Sequence, residues 1–352
     1  MMSNAETILI WAIAIEFGLV ILFILLTYIS RFYWSKVYQN NARKSEVLKR
    51  EILGSIQKGR ADQLSYPSRA DLIVPIFQEL DNEPQNKNNG WEAIRGEMIR
   101  GQILPKVRPF IIKKSWLSRY YLCMILGYLF EEQDEAIIIK LINDSSIVTV
   151  INAIKVAIKY GSEKTLGAMI HRISVERTHV QRMLIGEAFQ TEKLLEVCVK
   201  TLLSSDDAFL RKTCFILANQ VGTTKEFFEL AKRDIGDSHL ELSLSAIRVL
   251  SKSDPEKALP ILRSLLDDPI WQVREVALTH LAPLCDKESF EKIGSMLHDP
   301  VWWVRYRAGM ALLNYKETGK ELLNKISNSD SDNYAAVEAK YILLRHGLQE
   351  EL

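Results

Sequence analysis

The chain has 352 residues, and its 45 Lys and Arg stand against 44 Asp and Glu, a formal net charge of +1. That balance lacks the basic excess of a nucleic-acid-binding domain, so nucleic acid is not expected among its partners. The four cysteines, Cys123, Cys198, Cys214 and Cys285, show no CxxC and no zinc spacing. Three of them lie in apolar helical stretches and read as small core residues suited to a reducing compartment.

In chain order, residues 1–6 read as a short extracytoplasmic tail. Residues 7–30 form a 24-residue apolar run whose only charge is Glu16. A bilayer core takes about 20 apolar residues as helix, so the run predicts a transmembrane helix. A cleaved signal peptide fits less well: no basic stretch precedes the run and no small-residue cleavage site comes after it. Residues 31–60 carry eight basic residues against Glu46 and Glu51, a net of +6, and by the positive-inside rule they stay in the cytoplasm. This predicts a single-pass protein of the inner or plasma membrane with a cytoplasmic C-terminal domain. Phe32, Tyr33 and Trp34 stand where an aromatic belt belongs. The basic segment is expected to meet anionic lipid headgroups. Glu16 is a candidate contact to another membrane protein's helix, because a carboxylate in hydrocarbon is costly without a partner.

Residues 31–80 read as a basic juxtamembrane helical segment in which the first helix continues to about Ile56. A second helix is expected from Ser68, with Asp71 placed as in a capping box and Pro75 weakening it. The polar, breaker-rich run 81–90 reads as a linker. Residues 91–112, with helical stretches Trp91–Arg100 and Pro105–Lys114, are expected to form an N-terminal cap over the helices of residues 113–347.

Those helices come as repeats. Asp237, Asp268, Asp299 and Asp330 are spaced by 31 residues, and the same step backwards reaches Asp206 and, after a blank at Val175, Asp144 and Lys113. Three residues after six of these anchors stands a large apolar side chain: Trp116, Ile147, Phe209, Leu240, Trp271, Trp302. Six after comes a base in four copies, Arg119, Lys212, Arg274 and Arg305. Nine after come Ala153, Ala246, Ala277, Ala308 and Ala339; thirteen after come Leu126, Leu250, Leu281, Leu312 and Leu343. These offsets track one face of a helix. An Asp followed by Pro suits an N-cap followed by the first helical turn. A second amphipathic helix comes after each first one, as over Glu256–Leu266 and Lys287–Leu297. The unit starting at Asp330 holds only a first helix, Tyr334–His346, before a tail at 348–352.

The pattern DP-x-W-x-V-R-x-x-A at 268–277 and 299–308 resembles the HEAT-like repeat family, in a short form of about 31 residues similar to the repeats of phycobilisome lyases. The resemblance covers 113–347. It implies an all-α fold, in which the transmembrane helix is followed by a right-handed α-solenoid of about seven to eight helical hairpins. It also implies an Asp/Arg ladder between neighbouring repeats, carried here by Asp206, Asp268, Asp299, Arg274 and Arg305. Trp271 and Trp302 are expected in the core between repeats. Trp303 points elsewhere on the helix, and with Tyr306 and Arg307 it forms the candidate partner-binding surface.

No phosphate-cradling glycine loop, nucleophile elbow or HExxH is present, and none of the six histidines is followed by Glu, as the His-Glu pairs of HEAT-like hydroxylases would require. The expectation is therefore no enzyme, no cofactor and no metal, but a scaffold or adaptor binding a protein partner that includes an integral membrane protein. The plan resembles bitopic HEAT-repeat proteins that accompany membrane glycosyltransferases in polysaccharide synthesis or secretion. Two alternatives stay open: a HEAT-like lyase or metal-dependent hydroxylase, and a protein of anionic lipid surfaces working through its basic segment.

Overall fold

In a computed structural model the chain is described at residues 4–87, 90–112, 115–187, 192–328 and 334–346. Among these residues there is no strand. The expected repeat anchors Lys113 and Asp330, and the tail 348–352, lie outside the described residues. The chain separates into two compact units, Met1–Asn152 and Ala153–Leu352.

The first unit is built on α1 (Asn4–Lys58), an unbroken helix of 55 residues. At 1.5 Å per residue it is roughly 80 Å long. Its two halves live in different surroundings. From Ile15 to Trp34 its side chains are exposed throughout. Further on, Leu48, Ile52 and Ser55 are fully buried. The buried half packs on α2 (Ala70–Asn82) and α3 (Trp91–Met98). Lys49 pairs with Glu79 at 2.6 Å, and the Arg69 guanidinium donates to Asn41 Oδ1 at 2.9 Å.

Pro75 sits inside α2 on its exposed side. The helix survives because Ile73, Val74, Ile76, Phe77 and Leu80 form a buried stripe that outweighs one missing backbone donor. Asp71 does not reach Ser68; it accepts from Arg69 Nε at 2.8 Å. The described part of the polar run is tied back onto α2, with the Trp91 indole donating to Asp81 at 2.7 Å and the Asn86 amide to the Leu80 carbonyl at 3.0 Å. After α3 the chain continues through a π turn and α4 (Leu104–Val107) to α5 (Trp116–Tyr128) and α6 (Glu135–Ile142). The boundary between the units falls inside α7 (Ile147–Tyr160).

The second unit continues with helices in pairs: α8 (Glu163–Ser174), α9 (Thr178–Glu187) with α10 (Glu192–Ser204), α11 (Ala208–Val221) with α12 (Glu226–Asp234), α13 (Leu240–Ser253) with α14 (Pro255–Ser264), α15 (Trp271–Leu281) with α16 (Phe290–Ser295), and α17 (Trp302–Leu313) with α18 (Lys316–Ser327), followed by α19 (Tyr334–Arg345). The first helices α11, α13, α15, α17 and α19 touch in that order and form one layer. This is the stacking of an α-solenoid: each hairpin hides its apolar face only against the next.

The periodic small residues make the stacking possible. Ala153, Ala246, Ala277, Ala308 and Ala339 are fully buried, as are Leu126, Leu250, Leu281, Leu312 and Leu343. The alanines let neighbouring helices approach, and the leucines fill the space one turn further along.

Candidate partner-binding surface

The turn before each first helix sets the geometry. Asp144, Asp237, Asp268 and Asp299 each accept the backbone N–H two residues on, at 2.7–2.8 Å. Asp268 and Asp299 are therefore not the N-caps of α15 and α17; Ile270 and Val301 hold those positions. The true Asp-Pro cap is at α14, where Asp254 accepts from Lys257 N and Pro255 opens the helix. The two extra residues swing Asp299 back towards the preceding repeat. There Arg274 grips it with Nε at 2.8 Å and Nη2 at 2.9 Å, while Nη1 donates to the carbonyls of Asp268 and Pro269. Arg119 takes Asp144 in the same two-toothed way.

The ladder shifts in the middle of the second unit. Ser205, not Asp206, makes the turn bond, to Asp207 N at 3.2 Å, and Asp207 caps α11. That repeat is one residue longer, since Ser205 lies 32 residues before Asp237. Arg211 then takes the base position, donating Nε to Asp234 at 2.9 Å. Lys212 lies over the Phe209 ring instead.

Trp302 lies on the surface, 43% exposed, beside Trp303 at 51%. The expectation that Trp302 fills the core fails for a geometric reason. Offset three falls in the first turn, short of the level where helices pack, and Trp116 at the same offset is also exposed. The buried stripe begins two residues later, at Val273 and Val304. The Trp302 ring meets Trp303 edge-on at 4.7 Å and stacks on Tyr306 at 5.4 Å. Arg307 donates Nε to Glu275 of the preceding repeat at 2.6 Å and marks the edge of the patch.

The patch extends onto α19 through residues that no sequence motif marks. Tyr334, Val337 and Tyr341 are exposed along one side of that helix. Arg345 Nη1 bridges the two helices, donating to Tyr306 Oη at 3.3 Å and Tyr341 Oη at 3.2 Å. The Arg305 guanidinium lies 5.2 Å from the Tyr334 ring centre. The Trp302 side chain hydrogen-bonds Glu338, and burial pushes that carboxyl above its ordinary range. A signal was present in the sequence: α19 is apolar on both sides, although Ala335, Ala336, Ala339, Ile342 and Leu343 alone already form a buried stripe.

Elsewhere, Glu16 is exposed on the bare half of α1. The basic segment divides in two. Lys49, Lys58 and Arg60 pair with carboxylates and Lys44 lies over the Tyr66 ring. Nearer the apolar half, Arg31, Lys36 and Arg43 make no described ion pair, and Lys36 sits over Phe32 at 4.7 Å. Among the described residues no three His, Cys, Asp or Glu side chains gather as a metal-holding group.

The HEAT repeat family matches residues 258–287, which take in α14 from Ala258 onwards, the Asp268 turn and α15 with Arg274. The chain thus carries a HEAT-like repeat, a fold suited to a scaffold or protein-binding role. No curated protein matches the chain.

Proposed function

We propose that this HEAT-repeat chain is a membrane-anchored scaffold. In this reading the apolar half of α1 crosses the bilayer and the helical repeats hold a protein partner on the cytoplasmic side. The observation that carries it is the split character of α1. A span of mean hydropathy 1.9 has none of its apolar window buried, while the same rigid helix is packed into the first unit further along. A bare apolar helix of this length is stable in hydrocarbon and a liability in water. Arg31, Lys36 and Arg43, with Phe32, Tyr33 and Trp34, suit the headgroup layer on the inner side. Glu16 offers the span one polar contact to another membrane helix. The layout resembles that of bitopic proteins accompanying membrane glycosyltransferases, so an integral membrane enzyme of polysaccharide synthesis or secretion is the partner class to test first.

The test is fractionation of the full chain, with alkaline carbonate washing and protease treatment of sealed vesicles. The reading expects retention in the membrane and cleavage of the repeats only from the cytoplasmic side. Recovery in the soluble fraction overturns it. Gentle solubilisation then asks whether a membrane enzyme co-purifies at stoichiometric yield and is lost with Glu16→Leu. A metal or chromophore retained by the purified chain, with no partner, favours an enzyme instead.

A further inference from the structure

We propose that the joint face of α17 and α19 docks an acidic, apolar protein segment, with Arg345 and the open side of Arg305 receiving its carboxylates. The inference rests on the scaffold reading and names the chemistry of the partner.

Charge segregation is the first argument. The two helices carry Arg305, Arg307, Lys340 and Arg345 against one acid, Glu338. Residues 61–352 as a whole are net negative, at −3. Arg307 is neutralised by Glu275. Arg345 is exposed and meets only two tyrosine hydroxyls among the described residues. A guanidinium held in place by neutral acceptors keeps its full affinity for a carboxylate.

Arg305 also carries an incomplete copy of the ladder. Arg305 repeats the first half of the Arg274 arrangement, with Nη1 donating to the carbonyls of Asp299 at 2.8 Å and Pro300 at 3.1 Å. The second half is missing as a hydrogen bond, although the Arg305 charge reaches the neighbouring Glu338 carboxylate and favours its ionised form against burial. Arg305 is 9% exposed, and its buried Nε meets no acceptor among the described residues, where Arg274 Nε meets Asp299. A buried donor left without an acceptor is destabilising, because it has lost its water and gained no partner. Tyr334 covers the guanidinium and is itself 75% exposed, so a ligand reaches Arg305 by displacing this one ring. A carboxylate entering there completes on Arg305 the pair that Asp299 makes on Arg274. Trp302, Trp303 and Tyr341 supply the apolar floor for the flanking side chains, in the Trp, Tyr and Arg composition of interface anchors.

The probe is a display library of short random peptides, selected against the full chain in nanodiscs of zwitterionic lipid. Each enriched peptide is then measured by fluorescence anisotropy beside a twin with Asn and Gln for its Asp and Glu. The expected result is enrichment of Asp or Glu next to apolar residues, and about tenfold weaker binding by the twin. Trp303→Ala and Arg345→Gln, both at the surface, should each weaken binding by about fivefold or more with the helical circular dichroism unchanged. Failure to select any acidic peptide, equal binding of the twin, or indifference to both variants overturns the proposal. So does capture by phosphatidylserine vesicles that needs Trp303 while no acidic peptide binds. Asp330 stands 25 residues after Arg305, as Asp299 does after Arg274. Asp330→Asn should leave the peptide affinity unchanged; an increase of about tenfold would mean that the chain's own carboxylate fills the Arg305 position, and overturns the proposal. Acid-selective binding by a chain that does not sediment with membranes would sink the anchor and keep this site. A membrane-bound chain that selects no acidic peptide would do the reverse.

Discussion

Asp299 serves two repeats at once. Its Oδ1 accepts the Val301 N–H at 2.8 Å before its own first helix, and its carboxylate receives Nε and Nη2 of Arg274 from the repeat before. Both side chains are largely buried, at 7% and 13% exposure. Removing one partner of such a pair leaves a desolvated charge, which costs roughly 3–5 kcal/mol. Asp299→Ala should therefore lower stability by about 3 kcal/mol, read from chemical unfolding of the full chain in detergent. Arg274→Ala combined with it should be distinctly less harmful than the sum of the two. Strict additivity would show that the pair does not couple the repeats.

Acid should weaken the interface between α13 and α15 through His280. Burial, and then the nearby charges of Arg248 and Lys252, push this imidazole down to about 4 from 6.5. The folded chain keeps it neutral, 2.7 Å from Ser251 Oγ. Between pH 6.5 and 4 the unfolded chain binds a proton that the folded chain refuses, so stability is complete above 6.5 and falls as the pH drops towards 4. The loss amounts to roughly 3 kcal/mol at most. His280→Asn should flatten the dependence of the unfolding midpoint on pH over that window. An unchanged slope would place the sensitivity elsewhere.

Glu338 has the opposite sign. Burial raises its pKa above the ordinary carboxylate range, so the folded chain binds the proton more tightly than the unfolded one. Its contribution is complete below the unfolded value and is lost as the pH rises through the folded one. Glu338→Gln keeps an acceptor for Trp302 and removes the charge. It should stabilise the chain at neutral pH and have no benefit in acid; destabilisation at neutral pH would count against a buried, poorly paired carboxylate.

At Gly319 α18 passes close against the end of α17. A Cβ at this position would lie 1.8 Å from the Leu312 carbonyl oxygen, a backbone atom that cannot rotate away. Gly319→Ala should cost about 1–3 kcal/mol despite the better helix propensity of Ala. Thermal denaturation checks this, and a gain in stability would mean that the two helices separate at little cost.

The legible part of the fold came from periodicity. The Ala and Leu series at offsets nine and thirteen marks buried positions in the copies that carry it, because a residue type repeated in register answers the same neighbour each time. The continuation of α1 past the apolar run was written in the helical pattern of 31–56, and the helix ends at Lys58. Of the surface on α17, Trp303 was legible from its angle to Trp302. The α19 half was missed: the helix is apolar on both sides, but Tyr334, Val337 and Tyr341 belong to a different repeat and share no motif with α17.

What the sequence determined by itself is the composition of each helix: which residues share a face, how often the unit recurs, and that one helix is apolar enough for a membrane. Tertiary structure alone decided which side chains meet across repeats. The extra residue near Ser205 moved the ladder from Lys212 to Arg211, and the turn before α17 sent Asp299 to Arg274 rather than to its own helix end. It also left Trp302 outside the packing level and brought Arg345 beside Tyr306. The reason is physical. Local periodicity arises from backbone geometry and is written residue by residue, whereas contacts between repeats depend on how far each hairpin is displaced along the next. A single inserted residue or a two-residue turn changes that displacement without altering the apolar pattern.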